Sequence, residues 1–186
     1  MRATLETLAI ATLVGAVQAA LRVVGLAGLF ALATPLSVAP WTVVTSVYAH
    51  GSIGHLLANA LALLLVGPLV ERRTTRARFH AFVVTTGGLA GIAQVTVGGL
   101  VGPPTAVLGL SGAVFALGGY LLAGNVVTAT LFDRLRLPPR AQFALFGLAA
   151  VALTATTAAP GVALIAHAVG AFCGLLAGRV GLLDVR

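Results

Sequence analysis

A serine between two glycines is the residue of this sequence that most clearly raises a chemical question. Ser111 lies in the stretch LGLSGAVFAL, close to Gly109 and Gly112, at the predicted start of a hydrophobic helix. The two glycines are predicted to leave the backbone around the serine accessible. A serine hydroxyl is a weak nucleophile that needs an adjacent base, and His167 is the candidate for that base. The pair therefore predicts nucleophilic catalysis by serine.

Two further polar residues can donate hydrogen bonds to the oxyanion that such an attack creates. His55 and Asn59 are four residues apart, so their side chains share one face of a helix. The backbone N–H of Ser111, at a helix N-terminus, can supply another donor. The sequence thus predicts an oxyanion hole formed by His55, Asn59 and Ser111.

The composition indicates what kind of fold must position these side chains. Of the 186 residues, 59% are hydrophobic and only 8% are charged, whereas soluble domains carry about 25% charged residues. The chain is therefore predicted to be an all-helical, multi-pass membrane protein that forms one integral membrane domain over residues 1–186 and has the lipid bilayer as a partner. Its net charge of +7 comes from arginines in short loops, which is typical of topology signals and argues against nucleic-acid binding.

Six apolar segments predict six membrane-spanning helices. They cover residues 5–21, 53–70, 79–97, 110–127, 141–158 and 162–178. With six spans, every arginine except Arg22 falls on one side of the membrane, which the positive-inside rule makes cytoplasmic. Both termini are then cytoplasmic. The apolar segment 23–41 is predicted to form a hairpin-like loop at the outer interface, with Trp41 at headgroup level.

This topology places the four polar side chains at one depth in the membrane. The second, fourth and sixth spans all run inwards from the outer side, and each carries its polar residues near its outer start. At a rise of 1.5 Å per residue, the four groups fall within one layer about 10 Å thick. Because polar groups inside spans are costly, this shared depth is the strongest indication of a functional site. The site is predicted to face the outer side.

Small residues predict a close approach between the fourth and sixth spans. Gly112, Ala116 and Gly119 line one stripe of the fourth span. Gly170 and Gly174 lie on the same face of the sixth span as its histidine. Such faces let two membrane helices pack tightly, which would bring the histidine to the serine.

The positions of the acidic residues and of the other histidines argue against a catalytic triad and against a metal site. The four acidic residues all fall near the predicted cytoplasmic side: Glu6, Glu71, Asp133 and Asp184. A Ser–His–Asp triad is thus excluded and a Ser–His dyad remains. His50 and His55 are five residues apart and lack the glutamate of a zinc-protease helix, so neither a metal nor another cofactor is predicted. For His50 itself two interpretations stay open: a residue that supports the site, or one that holds the outer loop onto the second span.

Three motifs of the chain resemble the rhomboid family of intramembrane serine proteases. HGSIGHLLANALALLLVGPLVE is similar to the family's His-x4-His-x3-Asn helix, which ends in Gly and Glu. GLSGAVFALGGY matches its GxSG helix, and AHAVGAFCG matches its AH-xx-G-xxx-G helix. Each motif is weak alone, but the three together, in this order and on successive inward-running spans, are highly specific.

The resemblance implies a rhomboid-like bundle of six transmembrane helices, of the compact prokaryotic type, that cleaves single-span membrane proteins near the outer membrane face. It implies Ser111 as nucleophile and His167 as general base, with the oxyanion hole named above. Phe115 occupies the aromatic position that packs against the catalytic histidine, and Glu71 resembles a structural glutamate that closes the second span.

Alternatives and one departure from the family pattern accompany this interpretation. The chain could be a catalytically inactive relative that binds membrane proteins, or a small transporter, although a transporter favours polar groups at the midplane and on both sides. Where the family often has a Trp-Arg pair in the first outer loop, this chain has Trp41 and Thr42. Arg22 could take over the missing anchoring role.

Overall fold

A computed structural model describes residues 1–103, 105–159 and 161–185, with the backbone alone for Asp133. Its helices are α1 (Arg2–Arg22), α2 (Thr42–Tyr48), α3 (Ile53–Glu71), α4 (Arg76–Val101), α5 (Ser111–Ala123), α6 (Val126–Leu135), α7 (Pro139–Ala155) and α8 (Leu164–Arg179). A turn of 3₁₀ helix covers Ala27–Phe30. Over the described residues no β-sheet forms, and the fold is all helical, as predicted.

Helix lengths divide the predicted spans into two groups. Within the described ranges, α1, α3 and α4 are long and apolar enough to cross a membrane, since a crossing needs about 20 residues. A fourth span is reached if α5 and α6 count as one, but these two helices are bent by 62° at their junction. The helices α7 and α8 are apolar and shorter, with 17 and 16 residues. Each predicted segment overlaps a helix, while three or four of the described segments reach full crossing length.

The predicted fourth span was too long at its C-terminal end. Instead of continuing to residue 127, the helix ends at Ala123, and Gly124 and Asn125 separate it from α6. The reason is capping: the Asn125 side chain accepts a hydrogen bond from the Thr128 N–H at 2.9 Å and so starts a new helix. Hydropathy alone does not reveal this break, because both helices are apolar.

The outer loop is more structured than predicted. Helix α2 follows the predicted loop, and Leu32 forms an isolated antiparallel bridge with Val107, which ties the loop to the segment before α5. The Trp41 indole N–H donates to the Leu29 carbonyl at 3.1 Å. Thr42, at the position of the departure from the family pattern, is buried and donates to the Ala39 carbonyl. Backbone carbonyls of the loop therefore hold the side chains of Trp41 and Thr42.

Arg22 makes a hydrogen bond across the outer loop. It is exposed at the end of α1, and its guanidinium donates to the Gly51 carbonyl at 3.3 Å. Gly51 lies just before α3, so this bond connects the outer ends of α1 and α3.

The predicted close packing between the glycine-bearing helices is confirmed. Helix α5 lies against α8 so closely that a Cβ at Gly170 would collide with the Gly112 carbonyl. In the same way, a Cβ at Gly174 would collide with the Ala116 carbonyl. Helix α4 closes the other side of α5, where the Cβ of Ala90 would lie 2.7 Å from a Cβ at Gly112. Backbone contacts of this kind fix the relative height of α5 and α8.

Two acidic side chains, Glu71 and Glu6, connect helices at the end of the bundle away from the outer loop. Glu71, at the end of α3, accepts hydrogen bonds from the Ala3 N–H at 2.9 Å and from the Thr4 hydroxyl at 2.8 Å. Glu6 pairs with Arg76 and with His80. These contacts join α1 to α3 and α4, and they occupy the carboxylates in structural roles.

Candidate active site

Ser111 and His167 meet where α5 and α8 begin. Ser111 is the first residue of α5, and His167 lies in the first turn of α8. The Nε2 of His167 lies 2.9 Å from the Oγ of Ser111, which is hydrogen-bond length. Phe115, one turn further along α5, stacks on the His167 ring with centroids 4.4 Å apart and planes 16° from parallel. The imidazole is thus held in place against the hydroxyl.

His55 and Asn59 come to the same place from α3. Ser52 caps the start of this helix by accepting a hydrogen bond from the His55 N–H at 3.1 Å. One turn later, the Asn59 amide donates to the His55 carbonyl at 3.1 Å. Both residues line a cavity that Ser111 and His167 also line. All four polar residues that the sequence singled out are therefore brought together.

Of the two glycines around Ser111, Gly112 has its predicted role in the packing of α5 on α8, while Gly109 has a role that was not predicted. Gly109 has a φ of +130°, a conformation that favours glycine, and a Cβ there would lie 2.7 Å from Cε1 of the His55 ring. Its N–H donates to the Ser46 carbonyl at 2.8 Å. Gly112 is buried against α4 and α8 and does not expose the backbone. Gly109 thus makes room for His55, and Gly112 makes room for α8.

The cavity has a volume of about 820 Å³ and is lined mostly by small and apolar side chains. Of the acidic side chains that the structure describes, none lines it. Three polar residues that the sequence did not single out also line it: Gln94, Thr105 and Thr157. A volume of this size is within the range typical of ligand and substrate pockets.

Gln94 connects α4 to the start of α8. Its Oε1 accepts a hydrogen bond from the Ala166 N–H at 3.1 Å, and that N–H is among the first of α8, which have no partner within the helix. Ala166 precedes His167, so Gln94 helps to set the position of His167. A glutamine inside an apolar span is costly, and that cost was the signal that could have identified it.

Thr157 gave no such signal. It follows α7, its hydroxyl lies 3.1 Å from Nδ1 of His167, and it also donates to the Thr154 carbonyl at 2.8 Å. Threonines in apolar helices commonly bond to their own backbone, so a threonine among several in this segment does not stand out.

His50 lies beside the site and does not line the cavity. Its ring meets that of His55 edge to face, with centroids 5.1 Å apart. The backbone N–H of His50 donates to the Gln18 amide oxygen at 3.1 Å. Burial lowers the pKa of His50 to about 4, and the His55 ring adds to the shift. The neutral ring donates from Nδ1 to the Tyr48 carbonyl at 3.0 Å. These contacts tie the segment before α3 to α1 and place the His50 ring against His55, so they agree with both interpretations of His50.

Replacing Gln94 with methionine is expected to lower the free energy of unfolding by about 1–3 kcal/mol, because the Ala166 N–H loses its acceptor. Thermal unfolding in detergent measures the change. Thr96→Val is the matched control, since Thr96 lies in the same helix and its hydroxyl bonds to carbonyls of that helix. Equal unfolding temperatures for Gln94→Met and the control would show that the α4–α8 bond contributes nothing.

Comparison with known protein families shows which family the chain belongs to. A model of the Rhomboid domain matches residues 38–183, which is more than three quarters of the chain. The chain belongs to the rhomboid family. The rhomboid match contains α2 to α8 and therefore every residue of the candidate site, while α1 precedes it. A search among curated proteins found no significant match. Since this family includes intramembrane proteases, proteolysis is the reaction to compare with the geometry of the cavity.

Proposed function

We propose that this rhomboid protein is an intramembrane serine endopeptidase that cleaves single-span membrane proteins near the outer face of the membrane. The observation that carries the proposal is the 2.9 Å contact between His167 Nε2 and Ser111 Oγ. The contact lies in a cavity that is also lined by His55 and Asn59. A nucleophile, a base and oxyanion donors within one cavity are the parts that acyl transfer requires.

The proposed reaction has two halves. In the first, Ser111 Oγ attacks the scissile carbonyl while His167 Nε2 takes the hydroxyl proton. The oxyanion receives hydrogen bonds from the Ser111 N–H, the His55 ring and the Asn59 amide. The tetrahedral intermediate collapses, the C–N bond breaks, and His167 gives its proton to the leaving amine. In the second half, water attacks the acyl-enzyme with the same base, and the acid product leaves Ser111.

We further propose a topology with six spans in one domain. Helices α1, α3, α4, α5, α7 and α8 cross the membrane, and α6 lies along its surface. The 62° bend before α6 and the 81% and 78% exposure of Val126 and Val127 support this placement of α6. Because the arginine-rich segments follow α3 and α6, away from the site, the positive-inside rule predicts cytoplasmic termini and a site towards the outer face.

A substrate helix must unwind before it is cut. Its peptide groups are hydrogen-bonded within the helix, so the scissile carbonyl is not free to enter the oxyanion hole. The cavity wall on α3 carries Ala58 and Ala62 beside Asn59. The need to unwind favours substrates with helix-breaking residues around the cleaved bond, and the family resemblance implies small side chains there.

The test is cleavage of a panel of single-span reporter proteins by the purified chain in liposomes. The proposal predicts two fragments, with the cut close to the outer end of the reporter span, located by mass spectrometry. A folded protein that binds reporters and cuts none of them would instead be the inactive relative. Solute flux into the same liposomes without cleavage would indicate the transporter.

A further inference from the structure

A second polar group, besides Ser111, contacts the His167 ring. The Thr157 Oγ1 lies 3.1 Å from Nδ1, on the side of the ring away from Nε2. Thr157 lies just after α7, whereas His167 lies in α8, so the contact joins two separate parts of the chain. Both side chains also line the cavity that holds Ser111.

The second contact of Thr157 favours one direction for this hydrogen bond. Its hydroxyl is placed to donate to the Thr154 carbonyl, 2.8 Å away, and a carbonyl can only accept. With its single proton directed there, the Thr157 oxygen is placed to accept from His167. Nδ1 of the neutral imidazole then carries the proton, and Nε2 is left with a lone pair directed at the Ser111 hydroxyl.

We propose that Thr157 is a positioning residue that holds His167 in the tautomer able to accept the proton of Ser111. The Thr154 carbonyl, the Thr157 hydroxyl, the His167 ring and the Ser111 hydroxyl form one chain of hydrogen bonds. In serine hydrolases with a triad a carboxylate orients the base; here a hydroxyl fixed by a backbone carbonyl occupies that position. When the ring takes the serine proton, the Nδ1–H stays on Thr157, and no proton passes to the threonine.

This inference rests on the proposed serine protease function, and the experiment separates the two. Thr157→Val removes the hydroxyl and keeps the shape, while Thr157→Ser keeps the hydroxyl. Thr156→Val is the matched control, because the adjacent Thr156 hydroxyl bonds to the Leu153 carbonyl and is exposed. Reporter cleavage gives kcat and KM. Nitrogen NMR of histidine-labelled protein, with His167 assigned by its loss in His167→Gln, gives the tautomer.

The expected result is a fall in kcat of about 10- to 100-fold for Thr157→Val, with KM changed less than about twofold, because base catalysis is impaired and binding is not. Thr157→Ser and Thr156→Val stay near the wild type. The His167 spectrum shows protonated Nδ1 in the wild type and a mixture of tautomers in Thr157→Val.

A wild-type kcat and an unchanged tautomer in Thr157→Val would overturn the inference, as would a serine variant no better than the valine variant. Thr157→Ala gives a second protein without the hydroxyl, should valine impair folding. Cleavage that survives Ser111→Ala would instead refute the proposed function, and the ring spectra would still decide whether Thr157 sets the tautomer.

Discussion

Replacing Ser111 with alanine is expected to lower the rate of reporter cleavage by at least about 10⁴-fold, because the attacking oxygen is lost and only the oxyanion donors and substrate binding remain. His167→Ala is expected to cost about as much, since a serine without its base is a weak nucleophile. Because the two residues act as one unit, the double variant should be no slower than either single variant. Rates of fragment formation in liposomes, with matched protein amounts, measure all three.

Ser37→Ala is the control for this series, because Ser37 is an exposed serine of the outer loop that does not line the cavity. It should cleave like the wild type. Additive losses in the double variant would mean that Ser111 and His167 act independently, which is incompatible with proton transfer between them.

The second large effect concerns the packing of α5 on α8. Gly119→Ala is expected to destabilise the fold by about 1–3 kcal/mol, as overpacking does. The added Cβ would collide with the Ala171 carbonyl and lie 2.9 Å from the Leu175 backbone nitrogen. Neither is a flexible side-chain end, so the helices must separate. Since this interface sets the distance from His167 to Ser111, cleavage should fall together with stability.

Gly118→Ala is a closely matched control. Gly118 is the neighbouring residue of the same helix, and a Cβ there would meet nothing within 4 Å. That variant should be neutral or stabilised by up to about 1 kcal/mol, the usual gain of alanine over glycine in a helix. Unfolding temperatures in detergent compare the two variants. Similar temperatures would contradict the close backbone packing described for α5 and α8.

Much of the fold was predictable because a bilayer imposes simple rules on sequence. Long apolar segments located the helices, and the glycines Gly170 and Gly174 predicted the approach of α8 to α5. Ser111, His55 and His167 were predicted to lie at one depth, since helices that run in the same direction carry residues at equal distances from their starts to equal depths. The structure places these residues in one cavity, while their catalytic roles remain the proposal made above.

The rest depended on contacts that hydropathy does not encode. The end of α5 is set by the capping of α6 by Asn125, and apolar residues on both sides conceal it. The anchoring of the outer loop depends on backbone carbonyls, such as the Leu29 carbonyl that accepts from Trp41. Thr157 is adjacent to His167 only because α7 and α8 fold back on one another. A threonine carries no sequence signal for such a partner.

Labelling with a fluorophosphonate probe tests the central claim, activation of Ser111 by His167, most directly. The probe reacts with serines that have an activated hydroxyl, and mass spectrometry locates the adduct. We expect an adduct on Ser111 in the wild type, none on Ser37, and labelling slowed at least about 10³-fold in His167→Ala. A Ser111 that stays unlabelled in the folded wild type, or labels equally fast without His167, would contradict it.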